Sequence, residues 1–138
     1  MKKLLFAGTF ILLSGILITG CSKDSATPQT ASNRTPEQLK QMLLGKWNWI
    51  KSETAELGQP VKTYMAAPDA FMEFKEDGTY IYDIDGSGGP AYSSVTFTVI
   101  DGNTFIGAGT RKIKTIDAHN LVFYTESGTA VITQTLSR

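Results

Sequence analysis

The sequence predicts an all-β fold, a small antiparallel up-and-down β-barrel of eight to nine strands behind one short N-terminal helix. Three observations carry the prediction. Beyond Gly45, runs rich in β-branched and aromatic residues return at roughly ten-residue spacing. Between them stand turn-forming clusters: Glu76-Asp77-Gly78, Asp101-Gly102-Asn103, Asp117-Ala118-His119-Asn120 and Ser127-Gly128. No helical pattern interrupts the series, so hairpin should follow hairpin in an antiparallel barrel or sandwich. The 138 residues suit a single domain with a real core.

The first segment reads as an address. Lys2 and Lys3 precede an apolar run over 4–19, followed by Gly20 and Cys21. A basic start, an apolar centre and a small-residue end define a secretory signal, and the run is short for a spanning helix. An uncleaved membrane anchor is the alternative. Ile18-Thr19-Gly20-Cys21 resembles the bacterial lipobox. That resemblance implies a lipoprotein signal peptide over 1–20, cleaved before Cys21 after its sulfur receives a diacylglyceryl group. It also implies a fatty-acyl chain, such as palmitate, on the freed amine. Several acyl chains, at ~0.8 kcal/mol per buried methylene, hold a soluble domain to a bilayer where one chain is marginal. The membrane partner is therefore expected through Cys21. Ser22 replaces the aspartate that resembles an inner-membrane retention signal, which points to the outer membrane. Ser22-Lys23-Asp24 resembles the charged tags of surface-displayed lipoproteins, so periplasmic face and cell surface both stay open. Residues 21–34 lack large aliphatic side chains and read as a lipidated flexible tether of about 20 Å mean span. Asp24-Ser25-Ala26 resembles an O-glycosylation acceptor, with Ser25 as the modified residue.

The folded domain is expected over 35–138. Thr35 is placed to cap a helix, Pro36 suits its first turn, and Gln38 completes a Thr-x-x-Gln capping box. Leu39, Met42 and Leu43 make one apolar stripe, and Gly45 is a natural stop. A helix of about two turns is stable only when docked, so it reads as a plug under the domain. Strands are expected at 46–53, 71–75, 79–84, 93–100, 103–107, 111–117, 121–126 and 129–136, with a ninth at 61–65. Residues 54–70 read as a long excursion, one strand flanked by a loop over the barrel mouth; a plain connector is the alternative.

Gly45-Lys46-Trp47, a Gly-x-Trp at the first strand just after a short helix, resembles the lipocalin signature. The run from Met72 through Glu76-Asp77-Gly78 to Tyr80 is similar to that of small bacterial lipocalin-like lipoproteins. So are the run from Phe97 through Asp101-Gly102-Asn103 to Phe105 and the ending Thr135-Leu136-Ser137-Arg138. The resemblance covers about two thirds of the chain, favours the barrel over the sandwich, and implies that Trp47 packs at the closed end with Arg138 over its ring. Gly45, Trp47 and Arg138 are then the barrel-closing residues, and a cation–π stack is worth roughly 0.5–2 kcal/mol. Strand alternation places Trp47, Trp49, Met72, Phe74, Tyr80, Tyr82, Phe97, Val99, Phe105, Leu121 and Phe123 inside. Of these, Trp49, Phe74, Tyr80, Tyr82, Phe97, Phe105 and Phe123 are the candidate lining of a pocket at the open end, relieved by Gly107 and Ala108. The alternative is that they are simply core.

The chemistry inventory is short. Lys+Arg and Asp+Glu number 13 each, which gives nucleic acid no basic surface. One cysteine excludes a disulfide framework or a cysteine-rich zinc site. His119 stands in an Asp-x-His spacing that could polarise an imidazole, but it sits in a turn, where histidines mostly face solvent. Asp83-Ile84-Asp85-Gly86-Ser87-Gly88 matches the opening of a calcium loop, yet Ser94 stands where the pattern needs a bidentate glutamate. A Gly-rich hairpin is the alternative. No paired carboxylates, phosphate loop or metal pattern is found, so neither enzyme activity nor a cofactor is expected. The leading expectation is a non-catalytic, lipid-anchored outer-membrane lipoprotein binding a small apolar or amphipathic ligand. The second is a module that docks a protein or envelope polymer on its outer face, with Tyr64, Met65, Ile100 and Tyr124 as the apolar patch.

Overall fold

The computed structural model describes residues 33–86 and 92–138. The signal segment, Cys21, Ser25 and nearly all of the tether lie outside these residues, as do Ser87 and Gly88 of the calcium-like loop. Among the described residues, no helix is long and apolar enough to cross a membrane.

Helix α1 spans Pro36–Leu43 and starts as its sequence dictates. Thr35 Oγ1 accepts from the Gln38 amide at 3.2 Å, and Gln38 Oε1 accepts from the Thr35 amide at 2.9 Å, which satisfies two otherwise orphaned donors. Leu39 and Leu43 are fully buried, whereas Met42 is only partly covered. The docked part of the chain begins earlier than the tether reading has it. Arg34 is 6% exposed, and its Nε donates to the Gly102 carbonyl at 3.2 Å.

Ten strand segments follow: β1 Gly45–Glu56, β2 Lys62–Met65, β3 Phe71–Phe74, β4 Thr79–Asp83 and β5 Tyr92–Thr96, then β6 Thr98–Asp101, β7 Thr104–Ile106, β8 Thr110–Ile116, β9 Asn120–Ser127 and β10 Ala130–Ser137. They form one antiparallel sheet in the order β5-β4-β3-β1-β10-β9-β8-β7-β6, with β2 on β1. Two interruptions reconcile ten segments with the expected number of strands. β2 and β3 pair successive stretches of the same edge of β1, Met65 against Lys51 and Phe71 against Asn48, so they are one stave broken at 66–70. The expected strand over 93–100 breaks at Phe97 into β5, which pairs β4, and β6, which pairs β7. Because β5 and β6 are the two ends of the sheet and adjoin in the chain, that bend brings the sheet round into a nearly closed barrel. Phe97 holds the corner: its amide donates to the Gly78 carbonyl at 2.8 Å and its ring is buried. Near-closure leaves little free sheet edge for stray pairing.

The turns at 75–78, 102–103 and 117–119 share one end of the barrel with α1. The turns at 57–61, 84–86, 107–109 and 128–129 ring the other. The 54–70 excursion departs from its expected form. β1 runs on to Glu56 and pairs β2, so the segment is an ordered hairpin continuous with the sheet. Its flank returns through Ala66 and Ala67, half-buried, and Ala70, buried, with the Ala70 carbonyl accepting from the Trp49 amide at 2.8 Å.

Candidate functional site

The plugged end is assembled from residues far apart in sequence. A helix C-terminus leaves carbonyls without partners, and here side chains supply them. The Trp47 indole Nε1 donates to the Leu43 carbonyl at 2.7 Å. Arg138 donates from Nη1 to Leu44 at 2.7 Å, from Nη2 to Met42 at 2.9 Å and from Nε to Ala118 at 3.1 Å. Its guanidinium lies 3.8 Å from the centroid of the Trp47 ring, which is fully buried. A cation at a helix C-terminus also opposes the helix dipole favourably. Gly45 makes this possible, since its φ is +98° and a Cβ there would stand 3.4 Å from Arg138 Nη1.

Above that floor the interior is filled by rings. Phe74 sits at the centre, with centroids 5.4 Å from Tyr80, 5.1 Å from Phe97 and 5.5 Å from Phe105; Phe105 is 5.6 Å from Phe123. Most of these meet edge to face, the arrangement that aromatic quadrupoles favour. Trp49, Phe74, Tyr80, Phe97, Phe105 and Phe123 are all buried, and Tyr82 is half-buried. Met72 and Leu121 join the core, and Val99 packs against it. Ala70, Ile113, Ile116 and Leu136 complete the core without having been expected there. Gly107 does not open space for a ligand, contrary to its expected part in a pocket. A Cβ on it would stand 2.6 Å from Tyr80 Cε1, so its small size admits the Tyr80 ring. Ala108 is likewise engaged, its amide donating to the Tyr80 hydroxyl at 3.2 Å. The lower barrel is therefore a packed core rather than a cavity.

Toward the open end the inward face changes character. Directly opposed residues in an antiparallel pair share a face. Register sets Gln134 against buried Phe123 on one side and against Ser52 on the other, and Ser52 against Tyr64. Thr125 follows Phe123 by two, so it continues the same row. These residues are half-buried, and Tyr64 is exposed. The Trp49 indole Nε1 donates to Ser52 Oγ at 3.2 Å, which links the ring floor to this polar tier. Arg111, opposite Phe105 in register, enters the same space. Its guanidinium carbon lies 5.6, 5.7 and 5.8 Å from the ring centroids of Tyr80, Phe105 and Phe123. Comparison of the chain with family models, curated proteins and solved structures gives no match. The candidate site thus rests on its own geometry: buried rings below, the half-buried Ser52, Gln134 and Thr125 with Ile132 in the rows above, and the Arg111 guanidinium over three of the rings.

Other expected features take structural parts. Asp117 accepts through Oδ1 from the His119 and Asn120 amides, each at 2.8 Å, so its carboxylate serves the turn rather than the imidazole. These bonds, the one from His119 foremost, hold its carboxyl below the usual aspartate range. In the calcium-like segment, buried Asp83 accepts from the Gly86 amide at 2.9 Å, and Gly86 lies against the Pro68 carbonyl. Among the described residues, no three His, Cys, Asp or Glu side chains group as a metal site. Of the four residues expected in an outer apolar patch, Tyr64, Met65 and Ile100 are exposed, whereas Tyr124 is half-buried, with the ammonium groups of Lys112 and Lys114 5.8 and 5.7 Å from its ring centroid. Leu57 and Val61, at 88% and 60% exposure, join Tyr64 and Met65 on the β1–β2 hairpin.

Arg111 went unremarked in the sequence because arginine is ordinarily a surface residue of strands. The available signal was its place in the alternation, two positions before Ile113 on an inward row.

Proposed function

We propose that this chain is a non-catalytic bacterial lipoprotein, anchored to the outer membrane through Cys21, whose lipocalin-like barrel binds a small amphipathic molecule at its open end. The observation that carries the reading is the asymmetry of the barrel. One end is stoppered by α1, Trp47 and Arg138, and the other carries a half-exposed polar tier over an aromatic floor. A body with apolar and polar parts matches such an arrangement, burying its apolar end on the rings. The solid lower core limits the ligand to a shallow seat. Balanced charge supports a role away from nucleic acid.

Native mass spectrometry of the full chain extracted from its own membranes tests the ligand reading, with a displaceable adduct as the expected result. Metabolic labelling with a palmitate analogue tests the anchor: label should follow the protein and vanish in Cys21→Ser. Persistence of label in that variant, or a chain in the soluble fraction without it, counts against lipidation.

The exposed hairpin favours a second reading, a module that docks a protein or envelope polymer. Leu57, Val61 and Met65 are exposed on this one hairpin, which is more apolar surface than a hairpin needs for its own stability. If this holds, serine replacements at Leu57 and Met65 abolish co-purification of a membrane partner and leave small-molecule binding unchanged.

A further inference from the structure

We propose that Arg111 is an oxyanion-binding residue, so that the ligand of the open end is an amphiphile whose apolar body ends in a carboxylate or phosphate. The inference deepens the ligand reading above and rests on it. Three observations converge. Arg111 Nε is buried and has no hydrogen-bond partner. Nη1 is engaged, donating to the Gly109 carbonyl at 3.3 Å, which fixes the guanidinium and leaves the Nε edge of the fork to spare. Among the described residues the ion pairs are Lys51–Glu53 and Lys112–Glu126, and neither involves Arg111.

The rings of Tyr80, Phe105 and Phe123 attract the cation, but they offer no acceptor to an in-plane N–H. A sealed N–H without an acceptor costs free energy that a bound oxyanion recovers through a charge-assisted bond. The three rings then face the apolar body of the same ligand.

On this proposal the ligand enters at the parting of β8 and β9, which the Lys112–Glu126 ion pair spans at 3.3 Å. Pairing of β8 with β9 ends at Lys112 against Tyr124, so Thr110 and Arg111 pair only with β7 and Thr125 and Glu126 only with β10. A cleft lies at that parting, lined by Gly109, Thr110, Lys112, Tyr124, Thr125 and Glu126. It flanks Arg111 in sequence on both sides, and Thr125 belongs to the inward row. The bland alternative is that Arg111 only caps the ring cluster by cation–π attraction. In that case an anion has no advantage over a neutral molecule of the same shape.

The test uses the full chain in nanodiscs of zwitterionic lipid and follows the NMR signals of the Arg111 Nε–H and the Trp49 indole N–H. Phenylacetate, benzyl phosphate and benzyl alcohol are titrated separately, so that bilayer partitioning is not read as site occupancy. The expected result is a saturable shift of both signals by an anion, with benzyl alcohol binding more weakly. Arg111→Gln then weakens the anion roughly tenfold, the worth of one charge-assisted bond, and leaves the alcohol unaffected. Preference for phenylacetate assigns a fatty-acid-like head, and preference for benzyl phosphate a lipid-phosphate head. Equal binding of anion and alcohol overturns the proposal while the amphiphile reading survives. Failure of all three probes to move either signal overturns both. The comparison of anion with alcohol on the unsubstituted protein decides the matter even if Arg111→Gln does not fold. Arg111→Lys, which keeps the charge and loses the fork, should bind the anion between the two.

Discussion

Arg138 does at the scale of one residue what a short helix cannot do for itself. It fills two carbonyls at the helix end and one in the turn at Ala118 and stacks on Trp47, so truncation removes packing, hydrogen bonds and charge at once. Arg138→Ala should lower unfolding free energy by about 2–3 kcal/mol in denaturant titrations, with Arg138→Lys recovering only part. Gly107 makes the opposite point, that an absent side chain can be a packing requirement. Gly107→Ala pushes on the Tyr80 ring, which packs against Phe74 and Phe97, and should cost about 1–3 kcal/mol. Asp117 predicts a pH dependence. Its folded pKa is depressed, so its contribution is present above the ordinary aspartate value of about 3.9 and is lost as pH falls through the folded value. Stability measured against pH should decline on the acid side of that value, and Asp117→Asn should flatten this part of the curve.

Helix α1 is too short to persist alone, and its element-scale role follows from that. Its cap is worth about 1 kcal/mol, the expected loss in Thr35→Ala, whereas Leu43→Ala should cost about 2–5 kcal/mol by opening a cavity at the barrel floor. Hydrogen exchange would separate the two: the cap variant speeds exchange in α1 alone, and the Leu43 variant speeds it in β1 as well. The capping box was legible because it is local, a matter of residues three apart. The break between β5 and β6 was not, since nothing in the stretch around Phe97 marks a corner. The ring turns there because Phe74 and Phe105 supply a buried seat for it. The β1–β2 hairpin was half legible. Its turn residues Gly58 and Pro60 were visible, but the length of β1 depends on Lys62–Met65 returning along its edge.

At the scale of the molecule, the core is a single ring cluster with Phe74 at its hub. Phe74→Ala should therefore be among the most damaging single changes, at about 3–5 kcal/mol. It should also broaden signals from Phe97 and so loosen the closing seam. The site belongs to the same scale. Its floor is the top of that cluster, its wall comes from β1, β9 and β10, and its cation from β8. The pairing of β1 with β10, strands from opposite ends of the domain, is what joins its parts.

Periodicity and turn chemistry, both readable within a few residues, settled the class of fold, the helix and its cap, and many but not all of the side chains that turn inward. Alternation is a property of the strand itself, so it survives any arrangement of neighbours. Whether those inward rings enclose space or consume it depended on how the staves close and lean, and this no local pattern encodes. Gly107 is the clearest case, because the same absence of a side chain could have widened a pocket and instead admits Tyr80. The placement of Arg111 over three rings likewise arose only when β7, β8 and β9 were brought side by side.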